Sequence, residues 1–172
     1  TYQVKLFSIQ TAYCIAHHIF SFTVGIHFRT ADFEELFVSR HEGKTRATMK
    51  IQEGCDRWCT YCIIPYARGP VRSLPMDLAC EQVAQLRKEG YREIVITGIE
   101  ISSYGRDLAG DVSLIDLLEA ISPVAGEMRL RLGSLEPDRL TDEVIESLSK
   151  CEKLCPQFHI SLQSGCNKTL KS

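Results

Sequence analysis

Three cysteines in the run Gly54-Cys55-Asp56-Arg57-Trp58-Cys59-Thr60-Tyr61-Cys62 stand at the spacing C-x3-C-x2-C. They follow a strand-like segment, Ala47 to Gln52, and put three thiolates on one short loop. The thiolate is the form of cysteine that binds iron, and iron–sulfur clusters are held by such groups. Three ligands rather than four is the informative part. A four-iron, four-sulfur cubane held by three thiolates keeps one iron open to a small molecule. Structural zinc instead closes with four ligands, commonly as two pairs. No fourth ligand lies close in sequence: His41 precedes the strand, Cys80 falls on a predicted helix, and no His or Cys stands between Cys62 and Cys80. A zinc knuckle completed by a distant Cys or His stays open as an alternative. Disulfides fit poorly, because the eight cysteines accompany no secretory signal and the chain is not a short Cys-dense scaffold.

The elements that must position this loop follow from periodicity. From Arg46 onward, strand signals alternate with amphipathic helix signals, the pattern of a parallel α/β sheet or barrel. After the cysteine loop comes a long connection, Ile63 to Leu74. Pro75 suits a helix start, and Met76, Ala79, Cys80, Val83 and Leu86 recur at helical spacing up to Gly90, placed for a left-handed cap. Cys80 on that face reads as a small core residue. Glu93 to Thr97 is a second strand. Ser113 and Asp116 form a capping box ahead of Leu114, Leu117, Leu118 and Ile121. Met128 to Leu132 is a third strand, and Thr141 caps a further helix, with Leu140 and Ile145 placed to staple it. Phe158 to Leu162 is a fourth strand. The fold class is therefore α/β, a parallel (β/α) partial barrel of about four strand–helix units. The cysteines, Gly98 to Glu100, Ser134 to Glu136, and Gln163 all fall at the strands' carboxyl ends, the edge where parallel α/β folds bind ligands.

Length and charge set bounds. At 172 residues the chain is about one domain. A net charge of −2 gives no global attraction to nucleic acid, so RNA contact needs a local basic patch or segments outside this chain. Thr11 to Phe28 is apolar and near the length of a membrane span, but His17, His18 and His27 oppose insertion. No basic region precedes a short apolar core, so neither secretion nor a membrane partner is expected, and the location expected is cytoplasmic. His17 and His18, adjacent on a strand, would point to opposite faces and suit joint metal ligation poorly. The chain starts at Thr1 and stops directly after a strand signal, which reads as a fragment or truncated product.

The spacing with Tyr61 directly before Cys62 matches the radical S-adenosylmethionine signature, C-x3-C-x-aromatic-C. Beyond it, residues 41–170 resemble the radical S-adenosylmethionine domain of the methylthiotransferases, most nearly the threonylcarbamoyladenosine tRNA branch. The stretches that carry the resemblance are Lys50 to Cys55, Cys59 to Gly69, Thr97-Gly98-Ile99 with Ser102 to Gly105, Arg131 to Pro137, and Ser161 to Gly165. The resemblance implies that residues 41–172 form the N-terminal part of a radical SAM core domain, with 1–40 a poorly matched segment or linker. It implies that Cys55, Cys59 and Cys62 hold a 4Fe-4S cluster whose open iron takes the amino and carboxylate groups of S-adenosylmethionine. Reductive cleavage then gives a 5′-deoxyadenosyl radical that abstracts hydrogen from the substrate base. A second cluster, expected in the full-length protein but not ligated by this chain, delivers sulfur, and a second S-adenosylmethionine supplies the methyl group.

The implied partners are tRNA and an electron-donating reductant. Tyr61 is the adenine neighbour in this scheme, with loop packing as its plain alternative. Gly98 to Glu100 match the motif that meets the methionine amino group, although Glu100 also reads as a solvated loop carboxylate. Ser134, Glu136 and Gln163 face the cofactor in this scheme, or serve as caps and turns. Arg68 and Arg72 contact phosphate or substrate, or only solvate the connection. Departures are visible: Leu74 stands where the family has a basic residue, and residues 1–40 hold only Cys14 in place of three cysteines. Cys151, Cys155 and Cys166 match no cluster pattern. Sister substrates in the class are isopentenyladenosine in tRNA and a ribosomal protein. A zinc-stabilised, non-catalytic interaction module and an inactive fragment are the rivals outside it.

Overall fold

The computed structural model describes residue 33 and residues 45–171. Strand β1 (Arg46–Glu53) buries Ala47, Met49 and Ile51 at alternate positions, the period that one packed sheet face demands. It lies parallel to β3 (Glu93–Gly98), which lies parallel to β4 (Arg129–Leu132). Parallel neighbours need crossover connections, and helices α2 (Met76–Lys88) and α3 (Leu114–Ala125) supply them. Ala79, Val83 and Leu86 of α2 and Leu117, Leu118 and Ile121 of α3 join Ile51, Ile94, Ile96 and Leu130 in one core. Ser113 and Asp116 form the expected capping box on α3, and Gly90, at φ 85°, follows α2 as the left-handed residue.

The connection from Ile63 to Leu74 is more ordered than its sequence reads. It holds a short helix, α1 (Ile64–Arg68), and a two-residue strand, β2 (Arg72–Ser73), antiparallel to β1. The Asp107 carboxylate accepts from the Ser73 backbone N–H at 2.9 Å and from its hydroxyl at 2.6 Å, and fixes β2 from 34 residues away. Leu74, the departure noted above, is fully buried, and its N–H donates to the Ile51 carbonyl at 2.8 Å.

Beyond β4 the sheet curls. Gly133 leads into β5 (Ser134–Leu135), which pairs in parallel with β6 (His159–Ile160) after helix α4 (Asp142–Lys150). A four-residue helix, α5 (Asn167–Leu170), follows. The expected partial barrel is thus present as a curled, mostly parallel half-barrel. The expected fourth strand, Phe158 to Leu162, shortens to His159–Ile160, because β5, its partner among the described residues, offers only Ser134 and Leu135. The expected Leu140–Ile145 staple gives way to a different packing. Ile145 is exposed, while Leu140 and Val144 lie against the core.

Phe158, Ile160 and Leu162 are exposed along the β6 edge. An apolar, unpaired edge is a template for association. We expect the isolated chain to form oligomers in light scattering, and Ile160→Lys to shift it toward monomer; a monodisperse monomeric parent would contradict this. Among the described residues no helix is long and apolar enough to cross a membrane.

At the amino end of β3, buried Glu93 accepts from Arg131 Nε at 2.7 Å and Arg129 Nη2 at 2.9 Å, and pairs with Arg46 Nε at 2.7 Å. Hydrogen bonds from Arg131, against the cost of burial, hold its carboxyl below the ordinary value. A lowered carboxylate pKa stabilises the fold above the unfolded value and loses that contribution as pH falls through the folded one, below about pH 4. Glu93→Gln should cost about 2 kcal/mol at neutral pH, since it removes a charge that several arginines share. An unchanged urea midpoint would contradict the assignment.

Candidate functional site

The cysteine loop leaves β1 at a polar terminus that is buried. The ladder between β1 and β3 shifts register between Lys50 and Gln52, so Gln52 comes opposite Gly98. Its amide is fully buried, and such a group must be hydrogen-bonded. Gln52 Nε2 donates to the carbonyls of Glu53 (2.8 Å) and Gly54 (2.7 Å), while Oε1 accepts from the Glu100 backbone N–H at 2.7 Å. One side chain therefore ties the start of the cysteine loop to the loop after β3. Gly98 leaves room for it, since a Cβ there would lie 2.8 Å from the Gln52 carbonyl oxygen.

Gly54, at φ 73°, turns the chain against the Gly69–Pro70 backbone, and Cys55 N–H donates to the Gly69 carbonyl at 3.1 Å. Cys62 N–H closes a turn on the Cys59 carbonyl at 2.9 Å. All three thiols are free; Cys59 is exposed, and Cys55 and Cys62 are half-buried. Burial pushes the Cys55 thiol up, and Glu100 and Cys59 nearby add to the rise. Trp58 holds φ 51° and meets Tyr66 edge-to-face at 5.1 Å. Buried Glu53 anchors the base of the loop, paired with Arg68 at 2.9 Å and Arg72 at 3.6 Å.

Glu100 lies at the carboxyl end of β3 with its side chain 3% exposed. Arg57 Nη2 donates to Glu100 Oε1 at 3.0 Å, whereas Glu100 Oε2 is buried with no hydrogen-bond partner. Arg57 also grips Asp138 with two bonds of 3.0 Å, Nη1 to Oδ2 and Nη2 to Oδ1. Hydrogen bonds from Arg57 hold the Asp138 carboxyl below its usual range. The contribution of Asp138 is accordingly present above its unfolded value and fades as pH falls through the lowered one. Solvent screens it, because Asp138 is exposed.

A family model described as the Radical SAM superfamily matches residues 49–172. The chain belongs to the radical SAM superfamily. It is 45% identical over 140 residues to the threonylcarbamoyladenosine tRNA methylthiotransferase of Bacillus subtilis (strain 168), covering 81% of this chain and 31% of that protein. It is 43% identical over 126 residues to the tRNA-2-methylthio-N(6)-dimethylallyladenosine synthase of Clostridium botulinum (strain Loch Maree / Type A3), covering 73% and 28%. The chain thus spans about a third or less of the length of these curated relatives. The resemblance drawn from the motifs is borne out. Among solved structures, the radical S-adenosylmethionine methyltransferase TsrM from Kitasatospora setae matches with a TM-score of 0.58 at 16% identity, over 73% of this chain and 23% of that one. At that identity the likeness speaks for the fold alone.

The radical SAM candidates read from the sequence fall at the carboxyl ends of β1, β3, β5 and β6, but not all converge. Cys55, Cys59, Cys62, Gly98 and Glu100 share one rim. Tyr61 is 72% exposed. Slight burial pushes its phenol up, and the negative neighbours Cys59, Cys62 and Glu136 add to the rise. Glu136 is fixed by its backbone N–H, which donates to Ser102 Oγ at 3.2 Å. Ser134 Oγ bonds His159 Nδ1 at 2.7 Å, and Gln163 turns back to the Ser161 carbonyl at 3.4 Å, so both meet their own sheet's end. Glu100 is no solvated loop carboxylate. Nor does Arg72 solvate the connection: it is buried, with its Nη2 on the Arg68 carbonyl at 2.9 Å.

Other cysteines lie apart from the loop. Cys80 packs partly buried against the core, as expected. Cys155 is buried with its Sγ 3.8 Å from Glu93 Oε2, Cys151 Sγ lies 3.3 Å from Ser122 Oγ, and Cys166 is exposed. Cys14, His17, His18, His27 and His41 lie outside the described residues. Sequence reading missed Gln52, Arg57 and Asp138 as site-building residues. A glutamine closing an apolar strand was a usable signal for Gln52. Nothing local pairs Arg57 with a residue 81 positions away.

The donor set fits an iron–sulfur cluster: three free thiols on one partly open loop beside a buried carboxylate oxygen that lacks a donor. Among the described residues, no three His, Cys, Asp or Glu side chains converge tightly enough for a single metal ion. A cubane asks for less, since each thiolate binds a different iron.

Proposed function

We propose that this chain is the N-terminal part of the core domain, residues 41–172, of a radical S-adenosylmethionine tRNA methylthiotransferase working in the cytoplasm. The observation that carries the reading is the junction of the three-thiol loop with Glu100 at the carboxyl ends of adjacent parallel strands. Cys55, Cys59 and Cys62 hold a 4Fe-4S cluster, which, when bound, supplies the electron that cleaves S-adenosylmethionine. Glu100 Oε2, buried and without a donor, accepts from the cofactor's methionine ammonium, and the backbone at Gly98 gives it room. Tyr61 flanks the adenine and Glu136 faces the cofactor, while Ser134 and Gln163 would join them only by turning from His159 and the Ser161 carbonyl. Sulfur comes from a second cluster held outside this chain, electrons from a separate reductant.

The relatives named for threonylcarbamoyladenosine and for dimethylallyladenosine match at nearly equal identity. We take threonylcarbamoyladenosine, on the Arg131-Leu132-Gly133-Ser134-Leu135-Glu136-Pro137 stretch. The test is anaerobic incubation of the reconstituted chain with dithionite, S-adenosylmethionine and tRNA carrying either nucleoside, read by mass spectrometry. We expect weak 5′-deoxyadenosine formation from this chain without the methylthio nucleoside, and the methylthio nucleoside, favoured on the threonylcarbamoyladenosine tRNA, from the full-length protein. A preference for the isopentenyl tRNA would reassign the substrate. No cleavage despite a full complement of iron and sulfide would overturn the reading.

A further inference from the structure

Arg57 is the residue of the cysteine loop whose side chain, among the described hydrogen bonds, reaches the sheet's far loops. The loop needs such a tie. Asp56, Trp58, Cys59, Thr60 and Tyr61 are all exposed; backbone bonds hold Cys55 at the entry and join Cys62 to Cys59 in a local turn, and Trp58 meets the Tyr66 ring. None of these contacts ties the loop to β3 or β5, and fixing each residue of a loop costs about 1–2 kcal/mol. The middle of this loop carries Cys59, the most exposed of the three thiols. Arg57 stands midway between Cys55 and Cys59, so whatever holds its guanidinium restrains the stretch of backbone that carries both thiols.

Two carboxylates hold it. Asp138, in the 3-10 turn after β5, takes the guanidinium end-on through two 3.0 Å bonds from Nη1 and Nη2, a two-point grip that fixes orientation as well as position. Glu100, at the end of β3, takes one of the same nitrogens at 3.0 Å. The three groups join the ends of β1, β3 and β5, over sequence separations of 43 and 81 residues. One positive and two negative charges leave the trio with a net negative charge. That surplus sits on the rim where Glu100 keeps an oxygen without a donor. A lysine could supply the charge, but not the fork.

We infer that the Arg57–Asp138 fork is a positioning device for the cluster: it holds the cysteine loop on the half-barrel rim and leaves one Glu100 oxygen to the cofactor. The inference rests on the proposed cluster site and adds to it Arg57 and Asp138, which touch neither iron nor substrate. Partners one shell outside a metal site typically alter metal affinity about 10- to 100-fold.

The test is the rate at which the reconstituted chain loses iron to an excess of chelator, measured anaerobically by absorbance. Asp138→Asn is the first variant, because Asp138 is exposed and remote in sequence from the cysteines. Iron loss should quicken by about tenfold, while the thermal midpoint of the iron-free chain moves little. Arg57→Gln should lose iron at least as fast but also lower the iron-free midpoint, since it strips buried Glu100 of its donor, and Arg57→Lys should fall between Gln and the parent. Asp138→Glu should restore much of the parent rate. A purely structural role would lower the midpoint of the iron-free chain without this graded rescue, and that pattern would overturn the inference. So would variants that release iron at the parent rate. If the parent itself takes up no iron and sulfide, the proposed cluster site fails instead, and the two failures are told apart.

Discussion

Replacing Cys55, Cys59 or Cys62 singly with alanine is expected to abolish the brown chromophore of the reconstituted chain, and Cys80→Ala to leave it intact. Each of the three thiols is free and sits on the loop that leaves the carboxyl end of β1. In the proposed site three ligands leave no redundancy, because the fourth corner would belong to the small molecule. Among the described residues, the remaining cysteines are elsewhere: Cys80 packs against the core, Cys151 and Cys155 meet Ser122 and Glu93, and Cys166 lies exposed beyond β6. Absorbance near 400 nm with iron and sulfide analysis decides the matter. A brown Cys59→Ala variant beside a colourless Cys80→Ala variant would reverse the assignment.

Gly54→Ala should be the most damaging single-methyl change at the site. The residue holds φ 73°, a conformation that costs a non-glycine residue about 1–2 kcal/mol. The added carbon would also lie 1.8 Å from the Pro70 carbonyl oxygen and 2.7 Å from that of Gly69. These are backbone atoms, so relief requires moving the chain that accepts the Cys55 N–H bond. Overpacking of this kind adds about 1–3 kcal/mol, and the total loss should be roughly 3–4 kcal/mol. Cluster loading should fall with it, because the first ligand follows directly. A urea midpoint unchanged by the substitution would show that the turn is not built as described. Gly90→Ala is the matching control: its φ is 85°, but nothing lies within 4 Å of a Cβ there, so only the backbone strain remains.

Much of this was legible in the sequence, and for physical reasons. The alternation of Ala47, Met49 and Ile51, and the helical spacing of Ala79, Val83 and Leu86, record burial against one core directly in residue order. Ser113 with Asp116, and Gly90, are local signals whose partners lie within a few residues. Cys55, Cys59 and Cys62 are legible because their spacing is itself the chemistry. What escaped depends on residues far apart. The β2 strand exists because Asp107 reaches Ser73, and the loop is oriented because Asp138 reaches Arg57. Gln52 reads as an ordinary strand end until the register shift brings it opposite Gly98 and the Glu100 backbone. The β6 strand shows the reverse error. Its apolar alternation at Phe158, Ile160 and Leu162 is real, but its partner β5 offers only Ser134 and Leu135 to pair with.

The central claim is that this loop, on this half-barrel rim, holds a cubane through three thiolates. Quantifying iron, zinc and acid-labile sulfide per chain after anaerobic reconstitution tests it most directly. The account predicts about four iron and about four sulfide for each chain, with no zinc. One zinc per chain, without sulfide, would contradict it and make the loop a structural knuckle.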